Sequence, residues 1–302
     1  MMKWSKALLL GSAALTLAAC GSTEAEETAN GAWPEEITVV QYPNEQNPNT
    51  PSMHASFREH LESELGIEVN EVTSNGAYAA GIEALASGQT DIMLVSPQSF
   101  AQAKEKAGAE LIATQSSDAD YYSMFITHAE NEDINSLEDL KGTNFAFVDA
   151  SSSSGYMYPK GTLVKELGLD PAQIEQSGYF FDNVVYSGSH DNSAIGVGMK
   201  DYDAASVTSS ILERLDEAGI VAEEDYKIIG RSPDIPNPSY VIRGDLPEDF
   251  KDAVQDAFLT FDDAEYFEAI HGDAEARFME VDDSYYTETL ELLESITETE
   301  GE

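Results

Sequence analysis

Four serines and a glycine in a row, Ser151-Ser152-Ser153-Ser154-Gly155, follow the apolar stretch Asn144-Phe145-Ala146-Phe147-Val148. That stretch reads as a β-strand, which puts the serines where a strand turns into a helix. The first N–H groups of a helix have no intrahelical acceptor, and the helix dipole there favours negative charge. Ser152, Ser153 and Ser154 add three hydroxyl donors at the same place. The combination suits a tetrahedral oxyanion. Pro159 is expected to limit the helix that follows to little more than a turn. Taken alone, the run is equally explained by a serine-rich loop that caps its own helix.

A second group with chemistry is His190, in Ser187-Gly188-Ser189-His190-Asp191-Asn192. It follows the strand-like Val184–Tyr186 and is expected on a loop at a strand end. An imidazole there can donate an N–H to an anion and, when protonated, add positive charge. Serines, a histidine and several aspartates also raise the idea of a serine hydrolase. No Gly-x-Ser-x-Gly elbow is present, however, and a serine within a run of four is a poor candidate for one positioned nucleophile. The chain is therefore not expected to be an enzyme. No pair among the five histidines has metal-ligand spacing with a third partner, so neither a metal nor a cofactor is expected.

The elements that must position these groups alternate along the chain. Ile37–Val40, Glu68–Ser74, Asp91–Val95 and Leu111–Thr114 read as strands. Between them lie a helix capped at Thr50 with Pro51 at its first position and Phe57, Leu61 and Leu65 four residues apart, and helices over Tyr78–Ser87 and Gln98–Ala107. A second cycle follows, with strands at Met124–His128, Asn144–Val148, Val184–Tyr186, Asp203–Val207, Lys227–Gly230 and Tyr240–Arg243. Ser136–Gly142 is a capped helical turn, and from Glu248 the chain is mostly helical. Strands alternating with helices mean α/β lobes, each a mostly parallel sheet flanked by helices, with a ligand cleft between them at the strand ends. The expected division is a first lobe over 36–121 plus 245–294 and a second over 122–244.

At the N-terminus, Lys3 and Lys6 precede a short apolar stretch and then Leu17-Ala18-Ala19-Cys20. This is a secretory signal over 1–19 rather than a spanning helix, which needs about 20 apolar residues. Cys20, the single cysteine, sits as in a lipobox, so it is expected to carry the lipid that anchors the protein outside the cell. Residues 20–35 read as a flexible tether and 295–302 as an acidic tail. The 302 residues carry 57 Asp+Glu against 15 Lys+Arg, a formal charge of −42. Such a chain repels nucleic acid, which is excluded as a partner, and its surface fits a salty or alkaline exterior.

The lipobox, the alternating lobes, Ala84–Ile92 and Ser136–Gly142 together resemble a type II solute-binding protein of an ABC importer. Phe147–Gly155 with Pro159 resembles the Val-Asp-Pro-x-Ser-Thr-Ser-Gly signature of the phosphonate/phosphite-binding branch. Ser187–Asn192, followed by Asp203-Ala204-Ala205, resembles that branch's Gly-x-His segment and the strand after it. The resemblance covers residues 36–270 and implies a monomeric binding protein that hands a phosphorus oxyanion to an ABC permease and ATPase. It implies that Ser152, Ser153, Ser154 and His190 hold the anion, and that Tyr78 and Tyr121 line the cleft. Aminoethylphosphonate binders of the family hold the ligand's ammonium group with a glutamate and an aspartate. Ser210 and Asn237 stand at those places here, which implies a ligand without an amine: phosphite, methylphosphonate or phosphate. Another oxyanion, a small metabolite or a sensory role is the alternative.

Overall fold

The computed structural model describes residues 33–41, 55–73, 78–116, 120–271 and 273–297. The expected signal peptide, Cys20, most of the tether, the cap at Thr50-Pro51 and the end of the tail lie outside the described residues. The globular unit comprises two α/β lobes, each built on its own sheet.

The first lobe opens with β1 (Glu36–Gln41), α1 (Ala55–Leu65), β2 (Glu68–Thr73), α2 (Tyr78–Ala86), β3 (Ile92–Val95), α3 (Pro97–Ala107) and β4 (Glu110–Gln115). In α1 the expected four-residue step buries Phe57, Leu61 and Leu65 on one face, and Gly66 ends the helix in the left-handed conformation. The second lobe holds β5 (Tyr122–His128), β6 (Asn144–Phe147), α4 (Tyr158–Leu167), β7 (Asn183–Tyr186), α5 (His190–Gly198), β8 (Ala204–Thr208), α6 (Ile211–Glu217) and β9 (Tyr226–Asp234). The chain then returns through β10 (Ser239–Ile242), α7 (Glu248–Thr260), α8 (Ala264–His271), the two-residue β11 (Phe278–Met279) and α9 (Thr287–Thr297).

The first sheet runs β11-β4-β10-β3-β1-β2 and the second β7-β6-β8-β5-β9. Each is mixed. In the first, β1 is parallel to β2 and β3, whereas β10 runs antiparallel between β3 and β4. In the second, β6 is parallel to β7 and β8, whereas β5 is antiparallel to β8 and β9. The reversed strands, β10 and β5, are those by which the chain enters a lobe from the other one, so they arrive from the opposite end of the sheet.

This corrects the expected division at residue 244. Tyr240–Ile242 belongs to the first sheet, with Val241 and Ile242 facing Met93 and Ile92. The second crossover therefore falls between β9 and β10, at residues 235–238. The end of the chain departs from expectation as well. Helix α9 runs through Ser295, Ile296 and Thr297 and packs on both lobes, against α3 of the first and α4 of the second. Gly161 of α4 makes room for it, since a Cβ there would lie 2.9 Å from Leu292 Cδ1.

The first lobe's core centres on Phe57, Tyr240, Phe258, Phe261, Tyr266, Phe267 and Phe278, the second's on Phe125, Phe145, Phe147 and Phe181. Where the chain crosses between lobes, Met157, Tyr158, Ile235 and Ile296 form a separate apolar cluster, with Tyr121, Leu292 and Leu293 packed against it.

Candidate functional site

Strand β6 ends at Phe147, and the serine run turns away from it as a single π-helical turn, Ser153–Met157, which continues directly into α4. Pro159 does not stop the helix, contrary to expectation. Its ring lacks the N–H that would bond back to Gly155, and the preceding π turn absorbs the mismatch. The carbonyl of Gly155 accepts instead from the Val148 N–H (3.0 Å) and from Ser206 Oγ (2.9 Å), which ties the turn to β6 and β8. Gly155 is required here, because a Cβ would lie 2.3 Å from Val148 Cβ.

Ser152, Ser153 and Ser154 are all buried, at 1%, 0% and 1% exposure. Each hydroxyl oxygen accepts a hydrogen bond from a different part of the protein. Ser152 Oγ caps the turn and accepts from the Gly155 N–H (3.0 Å). Ser153 Oγ accepts from the Gln98 N–H in the other lobe (2.8 Å). Ser154 Oγ accepts from the Tyr121 hydroxyl (2.9 Å) and lies 3.2 Å from His190 Nε2. Every one of the three oxygens is thus engaged as an acceptor, which leaves its hydrogen to be donated. Buried hydroxyl hydrogens need acceptors, so the three serines form the candidate site for an oxyanion.

His190 is the first residue of α5, capped by Ser189, rather than a loop residue as expected. Its Nδ1 accepts from the Thr208 N–H (3.0 Å), so the ring proton sits on Nε2 and points to Ser154. Burial and then the nearby Arg214 guanidinium push its pKa down to about 3. The imidazole is therefore a neutral donor at physiological pH, which replaces the expectation that protonation adds charge. Burial raises the Tyr121 phenol to about 12, so it too remains a donor. The candidate site thus offers dipoles and hydroxyls rather than a formal positive charge.

The remaining expected residues are Tyr78, Asn237 and Ser210. Tyr78 is half-buried at the first position of α2 in the first lobe. Asn237 lies in the second crossover. Its backbone N–H donates to Tyr285 Oη (3.1 Å), its carbonyl accepts from the Tyr286 hydroxyl (2.7 Å), and its side-chain amide lies 3.5 Å from the Gln115 carbonyl. Ser210 is exposed, immediately before α6. Neither residue shares a hydrogen bond with the serine run. Among the described residues no group of three or more His, Cys, Asp or Glu could hold a metal ion.

The structure adds residues that the sequence reading passed over. Ser96-Pro97-Gln98-Ser99 opens α3 with a full capping box and a proline at its start, directly after buried β3. It contacts the serine run from the first lobe, the Gln98 N–H donating to Ser153 Oγ. The signal was legible, because a serine three residues before another serine, after a buried strand, repeats the strand-to-helix logic of Ser152–Gly155.

Residues 39–286 match the family described as "ABC transporter, phosphonate, periplasmic substrate-binding protein". The chain belongs to this family. It is 27% identical over 207 residues to the phosphate-import protein PhnD of Mycolicibacterium smegmatis, an alignment that takes in 67% of the chain and 64% of that relative. The chain thus spans a little under two thirds of the length of this curated relative. A binding protein component of an ABC phosphonate transporter from Pseudomonas aeruginosa superposes with a TM-score of 0.73 at 23% identity, covering 86% of each chain. PhnD1 from Prochlorococcus marinus, solved in complex with methylphosphonate, superposes at 0.72 and 19% identity, covering 87% of this chain and 98% of that one. At these identities the superpositions establish the two-lobe binding-protein fold. The family is one of transporter binding components and not of enzymes.

Proposed function

We propose that the protein is the extracytoplasmic solute-binding component of an ABC importer and captures a small phosphorus oxyanion for delivery to a membrane permease. The observation that carries this reading is the serine run itself. Three buried hydroxyls, each accepting a protein hydrogen bond through its oxygen, leave three hydrogens to donate, next to a neutral imidazole and a neutral phenol. The phosphate-import relative and the methylphosphonate complex of a fold neighbour support the same ligand class. The mature protein is a monomer held to the outer face of the membrane through lipid on Cys20.

Within that class the ligand is phosphite, methylphosphonate or phosphate rather than an aminophosphonate. This selectivity rests on the resemblance, which aligns the neutral Ser210 and Asn237 with the carboxylates that hold an ammonium group in the aminoethylphosphonate binders. A charge closed off without such a partner costs about 3–5 kcal/mol, a preference of roughly a hundredfold or more. The test is a thermal-shift and calorimetric series over phosphite, methylphosphonate, phosphate, aminoethylphosphonate and sulfate, since a ligand that binds only the folded state raises the melting point. Tighter binding of aminoethylphosphonate than of methylphosphonate removes the subsite argument. Binding of sulfate alone removes the phosphorus assignment.

A further inference from the structure

The serine run is gripped from the opposite lobe by the first turns of α3. The Gln98 N–H donates to Ser153 Oγ (2.8 Å) and the Gln98 side-chain amide donates to the Ala150 carbonyl (3.1 Å). Ser151 Oγ donates to Gln102 Oε1 (2.9 Å), and Ser96 Oγ lies 3.4 Å from the Ser151 carbonyl. All four contacts join residues 96–102 of the first lobe to residues 150–153 of the second, so parting the lobes at this seam would break them. One of them lands on Ser153, a hydroxyl of the oxyanion site.

We infer that the side chains of Gln98 and Gln102 are positioning groups for ligand capture: they latch the lobes through Ala150 and Ser151, and so hold the Gln98 backbone N–H on Ser153 Oγ, without touching the ligand. The inference rests on the function proposed above and goes beyond it, because it assigns the retention of ligand to first-lobe residues outside the anion site. The latch is also poised. Closure buries Gln98, at 6% exposure, and leaves its Oε1 without a hydrogen-bond partner. Sealing off an unpaired amide oxygen offsets part of what the four contacts contribute. The seam alone therefore holds the lobes less firmly than its four contacts would suggest, and an anion that engages the three serine hydrogens strengthens the closed form.

The test compares wild type with Gln98→Met, Gln102→Met and the double variant, since methionine keeps the length of the side chain and removes its hydrogen bonds. Methylphosphonate, phosphite and phosphate binding is followed by stopped flow, and the radius of gyration by small-angle scattering with and without methylphosphonate. The expected result is a dissociation rate raised roughly tenfold in the double variant with an unchanged association rate, because two neutral hydrogen bonds are lost from the closed state only. The melting temperature without ligand should stay within a degree or two, and scattering should show an expanded particle at ligand concentrations that close the wild type. An unchanged dissociation rate overturns the inference. So does an equal fall in association rate, which would place the glutamines in the open site. Scattering carries the distinction from the proposed function. If the wild type binds none of the three anions and the double variant still expands, the latch stands and the oxyanion reading falls.

Discussion

At Ser154 two donors, the Tyr121 phenol and the His190 imidazole, meet one hydroxyl oxygen. Removing that hydroxyl takes away a hydrogen bond to a charged ligand, worth about 1.5–3 kcal/mol. Ser154→Ala is accordingly expected to weaken oxyanion binding roughly ten- to a hundredfold with little change in fold, as read by calorimetry. His190 carries a separate prediction. Its pKa near 3 in the folded protein against 6.5 for the ordinary group means that, between those values, the unfolded chain binds a proton the folded chain refuses. Stability from this group is complete above about pH 6.5 and is lost as the pH falls toward 3. The stability advantage of wild type over His190→Gln in urea should therefore shrink from pH 7 to pH 4, and the imidazole signals of His190 should not titrate between pH 8 and pH 5 in NMR spectra. The serines were singled out in the sequence by their place between a strand and a glycine, and His190 chiefly by the family resemblance. The state of the histidine was not legible, since it depends on Thr208, eighteen residues away, and on desolvation by the surrounding fold.

Among elements, the π turn at Ser153–Met157 is the one on which the site depends. It exists because Pro159 withholds an N–H from Gly155 and because Gly155 alone fits against Val148. Gly155→Ala would force the turn away from β6, at a cost of about 1–3 kcal/mol for overpacking. The expected outcome is a melting temperature lowered by several degrees together with weakened oxyanion binding. Most strands and helices were readable from apolar periodicity and glycine stops, as in α1, where Phe57, Leu61 and Leu65 recur every fourth residue. Three features escaped that reading. Strand β10 was legible as a strand, but nothing local in Ser239–Ile242 says which sheet it joins, because pairing with β3 and β4 is a contact over more than a hundred residues. The two-residue β11 is too short to have a period. The proline was read as a stop because the alternative partners of the Gly155 carbonyl, Val148 and Ser206, are tertiary.

For the whole molecule, the chain passes between lobes after β4 and again at residues 235–238, and α9 packs on both lobes. The cluster of Met157, Tyr158, Ile235 and Ile296 fills that junction, and Tyr121 has its ring against the cluster and its hydroxyl on Ser154. The junction thus connects directly to the anion site. The acidic surface adds a kinetic expectation: a chain of charge −42 repels an anion at long range. Association should therefore accelerate as salt is raised from 10 mM to 500 mM, while the buried site keeps the dissociation rate nearly constant. A fall in association rate with salt would count against a site lacking its own positive charge. The oily junction also has a calorimetric meaning. Residues at a pivot travel little as the lobes swing, so their apolar surface stays out of water in the open and closed forms alike. The heat-capacity change on binding then reports the polar cleft and not the hinge, and it should be small for a motion that moves half the molecule.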